Sequence, residues 1–174
     1  MTAYLHAIKE EMEIFAKDEK VIFLGQQVGA ETFYGTLQGI DKSKRIEMPV
    51  AEELQMGMSI GMALEGYLPI SIYQRMDFLP RACDQIVNHL DLIRELSCNK
   101  FNPKVIIRTT IGNTYPMDVG KQHNKNLVEM FAKGIHFPIL TPKTPFEVHE
   151  AYQLARDIKS SIMIVEEQDL YHES

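Results

Sequence analysis

The chain has 174 residues, 45% of them hydrophobic and 24% charged, a size and balance that fit one folded domain and exclude a disordered polypeptide. A formal charge of −6 without any long Lys/Arg run excludes a nucleic-acid footprint and a polybasic membrane patch. Cys83 and Cys98 make neither a disulfide framework nor zinc-ligand spacing, and neither a signal core nor a run of ~18 apolar residues occurs, so a cytoplasmic protein is expected.

Leu5, Ile8, Met12 and Phe15 recur at intervals of three and four, which predicts a first amphipathic helix. The period then changes. "KVIFLG" (20–25), "LPISIY" (68–73), "KVIIR" (104–108), "FPIL" (137–140) and "SIMIVEE" (161–167) are short, apolar and β-branched, as buried parallel strands are, and "RIEM" (45–48) reads as a sixth short strand. Helical patterns lie between them, near 50–65, 78–97, 122–133 and 145–158. This alternation predicts an α/β fold over residues 1–174, a three-layer doubly wound arrangement with a mostly parallel sheet, in which ligands sit at the carboxyl ends of the strands.

The usual phosphate motifs are missing. "GQQVGAETFYG" (25–35) is neither G-x-G-x-x-G nor a Walker loop and reads better as turns, and the six histidines have no metal-ligand spacing. The stretch "PVAEELQMGMSIGMALEGY" (49–67) is more informative. Pro49 stands just before a helix, so Glu52 falls in its first turn, where the macrodipole favours a carboxylate. Capping is the simplest reading of Glu52 and Glu53. Gly57 and Gly61, however, each cost about 1 kcal/mol relative to Ala inside a helix, and close approach of another helix is the expected compensation. A glutamate pushed into such a contact would be partly desolvated and suited to proton exchange.

Five blocks, "DEKVIFLGQQV", "RIEMPVAEELQMGMSIGMALEGYLPI", "DFLPRACDQIVNHL", "KVIIRTTIG" and "KQHNKN", resemble in order the β subunit of thiamine-diphosphate-dependent 2-oxoacid dehydrogenases, the E1 component, in its pyrimidine-binding, transketolase-like domain. The resemblance places the family's catalytic glutamate on Glu52, not Glu53. In that family the glutamate hydrogen-bonds N1′ of the aminopyrimidine and shares a proton that promotes its imino tautomer. It also implies that Phe78 packs against the aminopyrimidine, that Val50 and Gln74 line the same pocket, and that His123 faces substrate. His123 is expected to open a helix, whose positive dipole end favours the neutral ring.

The chain departs from the family at Arg75 and Arg81, which replace mostly uncharged residues; either suits an anionic substrate, or is a solvated surface arginine. The loop "RTTIGNTYPMDVGKQ" also differs, and Asp157 matches only one residue of a family potassium site, so no metal is assigned. The family's C-terminal domain is expected to be absent, whether as a separate chain, by trimming, or in a minimal subunit. By resemblance, then, this is a subunit acting on a 2-oxoacid or ketose. An α-type partner would supply the diphosphate and Mg2+ site in an α2β2-like hetero-oligomer. The alternative is a non-catalytic α/β binding or scaffold subunit with the same fold.

Overall fold

In the computed structural model of the chain, residues 1–30, 32–112 and 118–172 are described. Thr2 caps α1 (Ala3–Ala16) by accepting the Leu5 N–H at 3.2 Å, and Leu5, Ile8, Met12 and Phe15 turn inward as their spacing predicts. Six strands follow: β1 (Val21–Gly25), β2 (Arg45–Glu47), β3 (Leu68–Ile72), β4 (Ile106–Ile111), β5 (Ile139–Leu140) and β6 (Ile162–Glu167). They form one all-parallel sheet in the order β2-β1-β3-β4-β6-β5.

Because both faces of such a sheet are covered, its strands carry apolar residues on both sides. One core packs α1 and α5 (Pro145–Asp157) against Phe23, Ile70, Ile106 and Ile164. The other packs α2 (Glu52–Leu64) and the segments after β3 against Ile107, Met163 and Val165. Three layers result. On the first face, buried Glu11 of α1 ties to α5 through His149 Nδ1 at 2.7 Å and through Arg156.

The apolar run at 104–108 starts its strand two residues later than predicted and extends it to Ile111, because Thr109, Thr110 and Ile111 pair with Val165, Glu166 and Glu167 of β6. The 78–97 helix breaks into a 3₁₀ segment (Met76–Ala82) containing Pro80, a π turn (Gln85–Leu90) and α3 (Ile93–Leu96). Pro80 lacks the N–H of a continuous helix, and the altered register keeps Leu79, Ala82, Ile86 and Leu90 on the core. The 122–133 helix shrinks to α4 (Val128–Ala132). There Asp118 and Asn126 bind the backbone N–H groups of Gly120 and Val128 at 2.8 and 3.0 Å, which favours turns over helix. Residues 113–117 of the departing loop lie outside the described residues.

The centre of the sheet contains a charge pair that the apolar periodicity conceals. Arg108 of β4 meets Glu166 of β6 with Nε and Nη2 at 2.8 and 3.0 Å, and both side chains are fully buried. Thr36 accepts from Nη1 at 2.9 Å, Tyr152 and Tyr171 donate to the two carboxylate oxygens, and Phe33 faces the guanidinium. Burial is the largest single influence on Arg108 and opposes its charge, but the charge and hydrogen bond of Glu166 together with Tyr152 and Tyr171 outweigh it, so the guanidinium is held protonated beyond the usual arginine range.

On the opposite face, exposed His136 bonds Asp91 through Nδ1 at 2.7 Å and through its backbone N–H at 2.8 Å. The hydrogen bond to Asp91 and its charge raise the His136 pKa above 6.5. A group whose folded pKa is raised stabilises the fold below its unfolded pKa and loses that contribution as pH rises through the folded value. His136→Ala is therefore expected to be less stable than the parent at about pH 5.5, the gap closing by about pH 8.5, in urea titrations at the two pH values. No gap at about pH 5.5 would show that the backbone bond, which alanine keeps, is the one that matters.

Candidate active site

The carboxyl edge of the sheet is where α2 begins. Gly25 closes β1 with its Cα so near β3 that a Cβ would lie 2.2 Å from the Ile72 carbonyl oxygen, and its own carbonyl accepts the Met48 N–H at 2.8 Å. Pro49 ends β2's extension and α2 starts at Glu52, with Ala51 at the N-cap providing no side-chain bond. The helix is fastened to β3 by Gln55, whose Nε2 donates to Ser71 Oγ at 3.1 Å and to the Ile72 carbonyl at 3.0 Å. Tyr73 adds a bond from its hydroxyl to the Glu52 carbonyl at 3.3 Å, and burial pushes its phenol above the usual range, so it stays a donor.

Glu52 is thereby buried, 3% exposed, while its neighbour Glu53 is exposed. Its Oε2 accepts from Arg81 Nε at 3.1 Å. Both residues line an open groove of about 490 Å³ together with Val50, Glu53, Gly57, Met58 and Gln85. Val50, just before the helix, and Leu54 and Met58, one turn apart on it, expose 77%, 57% and 37% of their surface beside it, a large apolar fraction for one patch. Within this chain Gly57 meets only the Gln85 amide, at 3.6 Å from a built Cβ, and Gly61 faces open space. The expected close approach to these glycines is not made by any described residue.

A second group gathers where β3, β4 and β6 end. The Phe78 and His123 rings meet edge to face with centroids 5.8 Å apart, and Arg75 Nη1 donates to the His123 carbonyl at 3.1 Å and to Gln168 Oε1 at 3.3 Å. Buried Gln168 in turn donates to the Tyr34 hydroxyl at 2.5 Å and accepts from Thr110. Gln74 is fixed by its backbone, its carbonyl accepting from Thr110 Oγ1 at 2.6 Å. His123 does not open a helix: its N–H bonds the Gly120 carbonyl at 3.0 Å in a turn, five residues before α4. The dipole argument for its ring therefore falls.

Val50, Glu52 and Arg81 thus share the groove, and Arg75, Phe78 and His123 form the neighbouring cluster. The 3₁₀ segment carrying both Phe78 and Arg81 links them. Sequence reasoning missed Gln168, Thr110 and Tyr34; polar residues at the end of the apolar run "SIMIVEEQ" were the only signal. In the glycine loop after β1, Glu47 accepts the Gln27 and Gly29 N–H groups at 2.7 and 2.6 Å, so these two amides are not free for a phosphate. Among the described residues no cluster of three His, Cys, Asp or Glu side chains is built to hold a metal, and no helix is long and apolar enough to cross a membrane.

Comparison with known proteins places the chain in a family. Residues 1–173 match the family model for the transketolase pyrimidine-binding domain. The chain is 26% identical over 170 residues to the 2-oxoisovalerate dehydrogenase subunit beta of Bacillus subtilis, covering 95% of this chain and 50% of the relative. It is 30% identical over 178 residues to the pyruvate dehydrogenase E1 component subunit beta of Cyanidium caldarium, covering 95% and 51%. The chain therefore spans about half the length of the curated relatives it matches. Among solved structures it resembles a split-gene transketolase captured as an inactive beta4 tetramer (TM-score 0.69, 18% identity, covering 94% of this chain and 48% of that one). It also resembles the transketolase of Campylobacter jejuni (TM-score 0.75, 16% identity, 93% and 25%).

Proposed function

Because the chain belongs to the transketolase pyrimidine-binding domain family, we propose that it is the pyrimidine-side subunit of a thiamine-diphosphate-dependent enzyme acting next to the carbonyl of a 2-oxoacid or ketose. The observation that carries this reading is Glu52, a nearly buried carboxylate at the start of α2 whose exposed edge opens on a groove beside an uncovered apolar helix face. The residues fit the cofactor's ring end: an acid able to hold one proton at N1′, flanked by Val50 and Met58, with Phe78 nearby for ring packing. Thiamine diphosphate, held there by its aminopyrimidine ring, would supply a nucleophilic thiazolium carbon. Glu52 holds the proton at the aminopyrimidine; His123 and Arg75, side by side, face the substrate; Arg81 borders the groove.

A partner must complete the site. Aromatic and hydrogen-bond contacts to one ring are worth a few kcal/mol, about what immobilising a ligand costs. The partner, an α-type subunit with a diphosphate and Mg2+ motif, covers Val50, Leu54 and Met58 and packs on Gly57 and Gly61. The beta-subunit names of the relatives support such an assembly.

Titration calorimetry with thiamine diphosphate and Mg2+ tests both parts. The complex formed with a chain carrying the G-D-G…N motif, encoded beside this one, is expected to bind at micromolar concentration, and the isolated chain is not. Gly61→Leu is expected to leave this chain folded but block assembly, and with it binding. Binding by the isolated chain would refute the interface, and a complex that does not bind would refute the function in favour of a scaffold subunit.

A further inference from the structure

Glu52 and Arg81 form an asymmetric pair. The Glu52 side chain is 4% exposed and that of Arg81 is 72% exposed, with Nε 3.1 Å from Oε2. The buried partner is fixed by the start of α2, whereas the exposed one stands on the groove's rim, at the end of the irregular segment Met76–Ala82. Only Arg81 has room to leave.

The chemistry of the two possible partners of Glu52 is opposed. An ionised carboxylate is purely an acceptor, and a pyrimidine ring nitrogen is an acceptor too, so a hydrogen bond between them requires one proton taken up from solvent. A guanidinium is a donor that brings its own hydrogens, and Arg81 already occupies Oε2 at 3.1 Å. The two contacts therefore compete for one side chain. We propose that Arg81 is a placeholder for the aminopyrimidine, neutralising Glu52 while the groove is open and releasing it when the ring enters. The inference rests on the function proposed above. Arg81 is a positioning residue, acting through Glu52: it spares the unassembled chain a buried charge without a counterion and makes cofactor entry depend on breaking an ion pair.

Two measurements test this. In thermal unfolding of the isolated chain, Arg81→Gln is expected to lower Tm, Arg81→Lys to recover most of the loss, and Arg81→Gln to cost little in a Glu52→Gln background. Additive losses would show that the pair is not coupled and overturn the proposal. In the complex, calorimetric Kd values for thiamine diphosphate and for its analogue with carbon in place of N1′ give a preference for the ring nitrogen. Arg81→Gln is expected to raise that preference about tenfold, since a charged hydrogen bond no longer competes, with Arg81→Lys near the parent. A preference unchanged or lowered means that Arg81 stays on Glu52 with the cofactor bound, and the placeholder role is wrong. A complex that binds neither compound overturns the proposed function as well, a result distinct from binding both with unchanged preference.

Discussion

Glu52→Gln is expected to slow exchange of the bound cofactor's C2 proton by about 10²–10⁴-fold, the range a positioned acid or base contributes, and Glu53→Gln to leave it within about twofold. Glutamine nearly preserves the shape of Glu52 and keeps an oxygen for Arg81, but it has no proton to lend. Glu53 follows directly on the helix and borders the same groove, yet it is exposed, so its charge is screened by water. The measurement is proton–deuterium exchange in the assembled enzyme at saturating cofactor, which separates activation from binding. Equal rates in the two variants would remove Glu52 from the chemistry.

Arg108→Met is expected to destabilise the chain by about 3–5 kcal/mol in denaturant titration, the usual cost of leaving one member of a buried pair alone. Domains of this kind have about 5–15 kcal/mol in total, so the loss is a large fraction of the fold's stability. The cause is not the attraction that disappears so much as the charge that remains. Glu166 would stay fully buried at the sheet centre with only Tyr152 and Tyr171 donating to it. Removing the whole polar set, with Arg108→Met, Glu166→Leu, Tyr152→Phe and Tyr171→Phe together, is accordingly expected to cost less than Arg108→Met alone. A single-variant loss below about 1 kcal/mol would show that water or rearrangement reaches Glu166.

The two groups differ in what their burial does. Arg108 and Glu166 are both sealed, with three hydroxyls completing their bonds, and nothing in that arrangement can move without leaving a charge unpaired. In the Glu52 pair only the carboxylate is sealed, and the exposed guanidinium can exchange for another partner. The same Arg–carboxylate chemistry is structural in one place and, in our proposal, replaceable in the other.

The sequence by itself determined the layers. Short β-branched runs and amphipathic periods are local properties of the chain, and all six strands and the helices α1, α2 and α5 lie where those periods put them, allowing the small shift of β4. The start of α2 after Pro49 was equally local, so Glu52 at its first turn was legible before any contact was known. Tertiary structure alone decided the partners. Arg81 reaches Glu52 across 29 positions, and Arg108 reaches Glu166 across 58, because β-strand register and the packing of the 76–82 segment bring them together, and no local period records such distances. It also decided how 78–97 and 122–133 break up, since Pro80 and the side chains of Asp118 and Asn126 make bonds or gaps that compete with a helix whose apolar period they leave intact. Apolar spacing reports which residues must face a core; which polar groups then meet there is fixed only when the strands are in register and each buried donor and acceptor has to find a mate.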